Sequence, residues 1–466
     1  MKPSPIMESL RQQAGNEALF RQALDQALDY MATVTERPVF PTPEAITALE
    51  QLREPLPEQP CDPAKTLSRL HALGSPATVA QTGGRYYGFV NGGAVPGALA
   101  AKWLADVWDQ NAALYVISPA VSVLEELCEA WITDLLGLPA GTAAGFVGGS
   151  STATLCGLAA GRNRLLRNLG WDAGAQGLFG APELRVVLGE GAHSTVYKAL
   201  SILGLGSGRI VQVPMDDQGR IREDLIPEPD QRTLLILQAG NVNTGAFDAF
   251  EGICTRAREN GAWVHVDGAF GLWAAASPAF APMTRGLSLA DSWSADAHKT
   301  LNAPYDTGII LCRDRDALTS ALHMTGSYIV YSPQRDNMLY TPDMSRRGRA
   351  VELWATLKAL GRHGVAELVE DLHQKARFFA DSLQAEGFHV LNQVVFNQVL
   401  VSCGSEAETA ATLKAVQGSG EMWCGGATWA GAPVIRLSVC SYRTDATDLR
   451  RSVAALVKAR AEVSGQ

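Results

Sequence analysis

The residues best able to do chemistry fall in four short motifs. In Trp263-Val264-His265-Val266-Asp267, alternation along a strand puts His265 and Asp267 on one face. The apolar run stops at Asp267, so its carboxylate stands at the carboxyl end of the strand, where open α/β sheets bind ligands. Gly268 and Ala269 follow and leave room for a flat ligand. On its own, an Asp at such a point also serves as a helix cap.

The second motif is Asp291 to Asn302, with His298-Lys299 among small and hydroxyl residues. A lysine becomes a nucleophile toward carbonyls when desolvation or a nearby cation lowers its pKa. The third is Gly148-Gly149-Ser150-Ser151-Thr152, opening an expected helix over 155–168. Glycines admit an anion to the backbone amides, and a helix N-terminus favours negative charge. It lacks the Gly-Lys-Ser/Thr ending of a P-loop. The fourth is His193, which follows an expected strand over 185–188 and opens a helix.

Each motif has an ordinary structural use. Their order is more telling. A phosphate cradle, a planar imidazole, a strand-end carboxylate and a pocket amine recur on successive strand–helix units at one sheet edge. Pyridoxal 5′-phosphate (PLP) needs these parts together. Its phosphate suits a helix N-terminus, its pyridine nitrogen a carboxylate, its ring face a flat partner and its aldehyde an amine.

The elements that must position these residues read as α/β. Strands are expected over 185–188, 234–237, 263–266 and 308–312, with helices over 193–203 and 252–260 between them, which implies a largely parallel sheet covered on both faces. After about residue 342 the pattern changes to helices over 348–360 and 365–386, then strands over 389–391, 399–402 and 434–439, a small α+β domain. At the start, a helix over about 5–35 carries Leu10, Phe20, Leu24, Leu28 and Met31 on one side, and a proline-rich connector runs over 37–63. Three parts are therefore expected: an N-terminal helical arm over 1–80 that packs on the body or a partner, a large PLP-binding domain over 81–341, and a small domain over 342–466.

Composition sets outer limits. The chain has 466 residues, 47% of them hydrophobic and 19% charged, and a net charge of −9. An acidic balance argues against a nucleic-acid surface. Eight scattered cysteines form no CxxC pair, so neither a zinc site nor a redox pair is expected, and no metal is implied. The start has no secretory apolar core and no run of 18 apolar residues occurs, so a cytoplasmic enzyme with no membrane partner is expected.

The chain resembles the group II PLP-dependent amino-acid decarboxylases, the aromatic-amino-acid and glutamate decarboxylase family with the aspartate-aminotransferase fold. The resemblance runs from about Arg85 to Arg443. Its marks are Arg85 to Gly93, Ser118-Pro119, Gly148 to Thr152, Ala192-His193-Ser194, Gly245 to Asp248, His265 to Ala269, Ala297-His298-Lys299, and Ser345 to Arg349 followed by Glu352-Leu353-Trp354. It implies a mostly parallel seven-stranded sheet, a smaller C-terminal domain, an N-terminal arm, and a homodimer with active sites at its interface. It implies that Lys299 carries the cofactor as an internal aldimine, Asp267 pairs with the pyridinium, His193 stacks on the ring and Ala269 lies on its other face. Gly149, Ser150, Ser151, Thr152 and His298 hold the phosphate, and Asn243 lies near the ring hydroxyl or the substrate carboxylate.

The implied reaction is decarboxylation of an L-amino acid to an amine and CO2 through aldimine and quinonoid intermediates. In relatives, a tyrosine on a mobile loop reaches across the dimer to give the final proton. Tyr328, Tyr331 and Tyr340 are the candidates here. Asp296 stands where many relatives have Asn, and the segment from Phe89 to Gly93 lacks a bulky aromatic-substrate pattern. Arg349 and Arg436 are the cations able to clamp a carboxylate. A transaminase, a carbon–carbon lyase or an oxidative aldehyde synthase would use the same scaffold. A PLP-holding regulatory protein is disfavoured by the intact Lys299, Asp267 and His193.

Overall fold

The computed structural model describes residues 4–323 and 331–465. The chain divides into two compact units. One comprises Tyr87–Ala410 and Gly425–Tyr442; the other comprises Met1–Tyr86, Ala411–Cys424 and Arg443–Gln466.

The first unit is built on a seven-stranded sheet. In chain order its strands are β1 (Ala143–Val147), β2 (Arg185–Gly189), β3 (Val211–Val213), β4 (Thr233–Gln238), β5 (Trp263–Asp267), β6 (Ser292–Asp296) and β7 (Gly308–Cys312). Their spatial order is β1-β7-β6-β5-β4-β2-β3. All neighbours are parallel except β7, which is antiparallel to both β1 and β6. The registers pair Gln238 with Asp267, Asp267 with Ser294, and Gly308 with both Val147 and Asp296. These pairings bring the carboxyl ends of β1, β2, β4, β5 and β6 to one edge.

Four of these strands are legible as apolar runs. Strand β6, Ser-Trp-Ser-Ala-Asp, is not, yet every residue in it is buried. Hydrogen bonds make polar side chains tolerable there. Ser292 Oγ receives the Trp263 indole N–H at 3.1 Å and pairs with His265 Nδ1 at 2.8 Å, while Ser294 Oγ pairs with Thr154 at 2.9 Å. Large apolar side chains fill the core around it, with Phe146, Phe250, Trp273 and Trp293 fully buried.

Two helices start at the functional edge: α1 (Ser150–Asn168) after β1 and α2 (Ser194–Ile202) after β2. A long helical run, α3 (Ala350–Ala385), is interrupted at Gly361, whose φ of 61° is the left-handed conformation glycine tolerates. The interruption divides α3 into the two helices read in the sequence. A further antiparallel layer pairs β8 (His389–Val390) with β9 (Gln398–Ser402), and β9 with β11 (Ala432–Ser438), which in turn pairs with β10 (Trp423–Trp429).

In the other unit the expected single N-terminal helix is two, Pro5–Ala14 and Glu17–Thr33, separated at Gly15-Asn16. Leu10, Phe20, Leu24 and Leu28 are exposed along them. Among the described residues no helix is long and apolar enough to cross a membrane.

Candidate active site

The sheet edge gathers the candidate residues from five strand ends. Asp267 closes β5 and is buried, with its Oδ1 accepting the Ala269 N–H at 3.2 Å. Burial raises its carboxyl above the usual range, while Lys299 and His193 pull it back down. A buried carboxylate calls for a cation, and a protonated pyridine nitrogen is one.

His193 caps α2, with its Nδ1 accepting the Thr195 N–H at 3.3 Å and pairing with Thr195 Oγ1 at 2.8 Å. That leaves Nε2 to carry the proton of the neutral ring. The residue is exposed, yet desolvation is still the largest influence on its imidazole and lowers its pKa, with Lys299 and Arg436 acting in the same direction and Asp267 against them. Asp296 also acts on it. Lys299, Asp267, His193, Asp296 and Arg436 therefore form one electrostatic group.

Lys299 follows β6 by three residues, and its Nζ lies 3.1 Å from Asp296 Oδ2. Gly92 N–H donates to the His298 carbonyl at 3.2 Å, and Asn302, at φ 58°, ties the same turn to Gly93 and Tyr442 through its Oδ1. Trp273 fixes the strand end by donating its indole N–H to the Asp296 carbonyl at 2.9 Å.

The cradle lies beside this turn. Gly149 caps α1, and Ser150 begins it. A Cβ on Gly308 would meet the Gly149 backbone at 2.3 Å, so glycine at 308 lets the cradle close onto β7. His298 accepts the Thr307 N–H at Nδ1 (3.1 Å) and points Nε2 to within 3.6 Å of Asp296 Oδ1. Burial keeps its imidazole below the ordinary value. Tyr305 stacks on it with ring centroids 4.1 Å apart, and its hydroxyl donates to Asn91 Oδ1 at 2.9 Å. Asp306 and Arg349 flank Gly148, near enough that a Cβ there would lie 3.1 Å and 3.6 Å from them.

Asn243 N–H donates to Asn241 Oδ1, and its own Oδ1 receives Arg436 Nη1 at 3.4 Å. Arg436, on β11, also donates to the Val242 carbonyl at 3.2 Å, and its buried Nε has no partner among the described residues. Arg349, the other cation considered for a carboxylate, is held instead by Asp306 at 3.3 Å, which Arg347 shares. Ser151 and Thr152 occupy the first turn of α1, and Ala269 lies half-buried two residues after Asp267, beyond Gly268.

Tyr331 and Tyr340 lie elsewhere. Tyr328 lies outside the described residues. Tyr331 lies against His323, with centroids 5.9 Å apart, and lines a cavity with Arg167, Arg315 and Tyr340. Arg167 is in the last turn of α1 and Ser150 in its first, a separation of about 25 Å. Tyr340 is buried, receives Arg315 Nη1 at its hydroxyl (2.7 Å) and packs its ring under Arg335 at 4.0 Å.

Sequence reasoning missed Asn302, Tyr305 and Thr307, which shape the cradle. The available signals were the adjoining Pro304 and an asparagine at 302, a residue type that tolerates the left-handed conformation it takes here. His265, by contrast, is a core residue: Gly157 lies so close that a Cβ there would be 2.7 Å from its ring. Among the described residues no cluster of His, Cys, Asp and Glu is arranged to hold a metal ion.

An α/β sheet with a lysine, a buried carboxylate and a helix-N-terminal cradle at its carboxyl edge defines a PLP enzyme of the aspartate-aminotransferase architecture. The model of the pyridoxal-dependent decarboxylase conserved domain matches residues 81–402, and the chain belongs to that family, with PLP as its cofactor. It is 26% identical over 379 residues to an aromatic-L-amino-acid decarboxylase of Bacillus atrophaeus, covering 76% of this chain and 77% of that protein. It is 30% identical over 257 residues to an aspartate 1-decarboxylase of Aliivibrio fischeri, covering 52% and 47%. The fold matches that of mouse CSAD in apo form with a TM-score of 0.87 at 21% identity, covering 96% of this chain and 99% of that one.

Proposed function

We propose that the protein removes the α-carboxyl group of an L-amino acid as CO2 and releases the amine. The observation that carries this reading is the grouping of Lys299, Asp267 and His193 at one sheet edge in a chain of the decarboxylase family.

In this reading the cofactor, when bound, supplies an electron sink for the pair left as CO2 departs. Lys299 holds it covalently. Asp267 keeps a proton on the pyridine nitrogen, since its own burial makes that cation the favourable partner. His193, neutral at physiological pH, offers a flat ring face and an Nε2–H. The N-terminus of α1 and His298 Nε2 would receive the phosphate, and Ala269 would lie against the ring face opposite His193. Arg436 and Asn243 offer a carboxylate a cation and an amide.

We further infer a homodimer. Exposed apolar residues on Glu17–Thr33 (Phe20, Leu24, Leu28) and on Pro96–Trp108 (Leu104, Val107) support it, since a monomer rarely leaves so many uncovered. Tyr331 then reaches the partner's site, because its own Ser150 lies at the far end of α1. Burial and Asp336 raise its phenol pKa, which keeps a proton available. All eight cysteines are free and seven are buried, which supports a cytoplasmic setting.

The test is a substrate panel. PLP-loaded protein is incubated with the protein amino acids and common aromatic, sulfinic and diamino acids, and CO2, amine, keto acid and peroxide are measured. One CO2 and one matching amine per turnover establish decarboxylation and name the substrate. A keto acid or peroxide would move the reading to transamination or oxidative aldehyde formation.

A further inference from the structure

The carboxylate of Asp296 takes both donors that Ser150 offers. The backbone N–H lies 2.6 Å from Oδ1 and the hydroxyl 2.7 Å from Oδ2. That N–H is the first unpaired donor of α1, which a phosphate at this cradle would also require. Lys299 Nζ is 3.1 Å from Oδ2 and His298 Nε2 is 3.6 Å from Oδ1. Asp267 and His193 complete the charged groups on the strand side, and Asp306 and Arg349 face the cradle across Gly148. Asp296 is itself buried and is anchored through its backbone by Trp273 and Ala269. It is therefore an anion built into an anion site.

We infer that Asp296 is an internal stand-in for the cofactor's phosphate, so that cofactor binding displaces this carboxylate from the Ser150 donors and weakens as pH rises. The inference rests on the PLP reading and adds a control on loading. Two anions cannot share the Ser150 donors without a proton between them. Near pH 6 a phosphate monoester takes up a proton of its own, and a phosphate–carboxylate pair can then share it in a charge-assisted hydrogen bond. Near pH 8 no such proton is at hand. An amide at position 296 would donate to the phosphate at either pH.

The experiment uses 4′-deoxypyridoxine 5′-phosphate, which has no aldehyde to react with Lys299, and unphosphorylated 4′-deoxypyridoxine as its control. Binding to the apo protein is measured by calorimetry for wild type and Asp296→Asn, with Asp296→Ser as a second charge-removing variant should the first fail to fold. The expected result is that Asp296→Asn binds the phosphorylated analogue at least roughly tenfold tighter at about pH 8. The gap closes toward about pH 6 and is absent for the unphosphorylated analogue. No gap at the higher pH, or an equal gap for both analogues, overturns the inference and leaves the PLP reading standing. Wild type that binds neither analogue nor PLP overturns both.

Discussion

The carbonyl oxygen of Lys299 lies 2.0 Å from where a Cβ on residue 92 would stand, and the His298 carbonyl lies 2.9 Å from the same point. Only glycine lets the 91–93 segment come this close to the turn that carries the reactive amine. The contact is with backbone, which cannot rotate away. Gly92→Ala should therefore push the His298-Lys299 turn out of place, at a cost of about 1–3 kcal/mol for an overpacked site. Cofactor affinity should fall with it, while the secondary structure is retained. Thermal melting and PLP titration together check this; unchanged PLP affinity would mean that the turn yields without consequence.

Lys299→Ala should abolish covalent retention of the cofactor. Wild type treated with borohydride and then denatured should keep cofactor absorbance on the polypeptide. The variant should lose it on gel filtration, while reversible binding through the α1 cradle persists. Covalent label surviving in the variant would assign the attachment to another amine.

Asp267→Asn should leave the fold intact and lower turnover by at least roughly a hundredfold, the scale for removing one preorganised electrostatic partner. Burial already raises the Asp267 carboxyl pKa, so the apo protein loses no favourable charge and its melting point should hold or rise. Near-normal turnover would remove Asp267 from the chemistry.

Much of this site was legible in the sequence because its parts sit on short motifs tied to strand ends. Asp267 could be placed because an apolar run ends on it, and Gly149-Ser150 because glycines precede a helix. Strand β6 was hidden, since Ser292, Ser294 and Asp296 look like loop residues until their partners Trp263, His265, Thr154 and Ser150 are in place. Those partners lie 27 to 146 residues away. No local pattern carries such long-range hydrogen bonding, nor the occupation of the cradle by Asp296. The break at Gly15-Asn16 was hidden for a different reason: the apolar spacing continues through it.

His265 should make the fold acid-labile. It is fully buried on β5, and its pKa is lowered to about 3 by desolvation. The unfolded chain titrates this group near the ordinary value of about 6.5, so between about pH 6.5 and 3 the unfolded state binds a proton that the folded state refuses. Its stabilising contribution is complete above the upper value and is lost as pH falls, by up to about 5 kcal/mol. Asp248 and Asp291, each raised to about 6 by burial, act in the opposite direction between about pH 4 and 6. Wild type minus His265→Asn stability isolates the histidine. That difference curve should slope downward from neutral toward acid pH, and a flat curve would show that His265 gains solvent or a proton in the folded state.

The position of Tyr331, near the far end of α1 from Ser150, makes an intersubunit prediction. If its hydroxyl serves the partner's Lys299, neither Lys299→Ala nor Tyr331→Phe homodimers contain a complete site. Mixed after unfolding and refolding together, they should form heterodimers in which one of the two sites pairs an intact lysine with an intact tyrosine. Random pairing makes half the dimers mixed, so the preparation should regain about a quarter of wild-type turnover. A tyrosine acting within its own subunit would leave every mixed site with one defect, and no activity would return. Activity of Tyr331→Phe homodimers equal to wild type would shift the donor role to Tyr328, and the same mixing experiment with Tyr328→Phe would then test that residue.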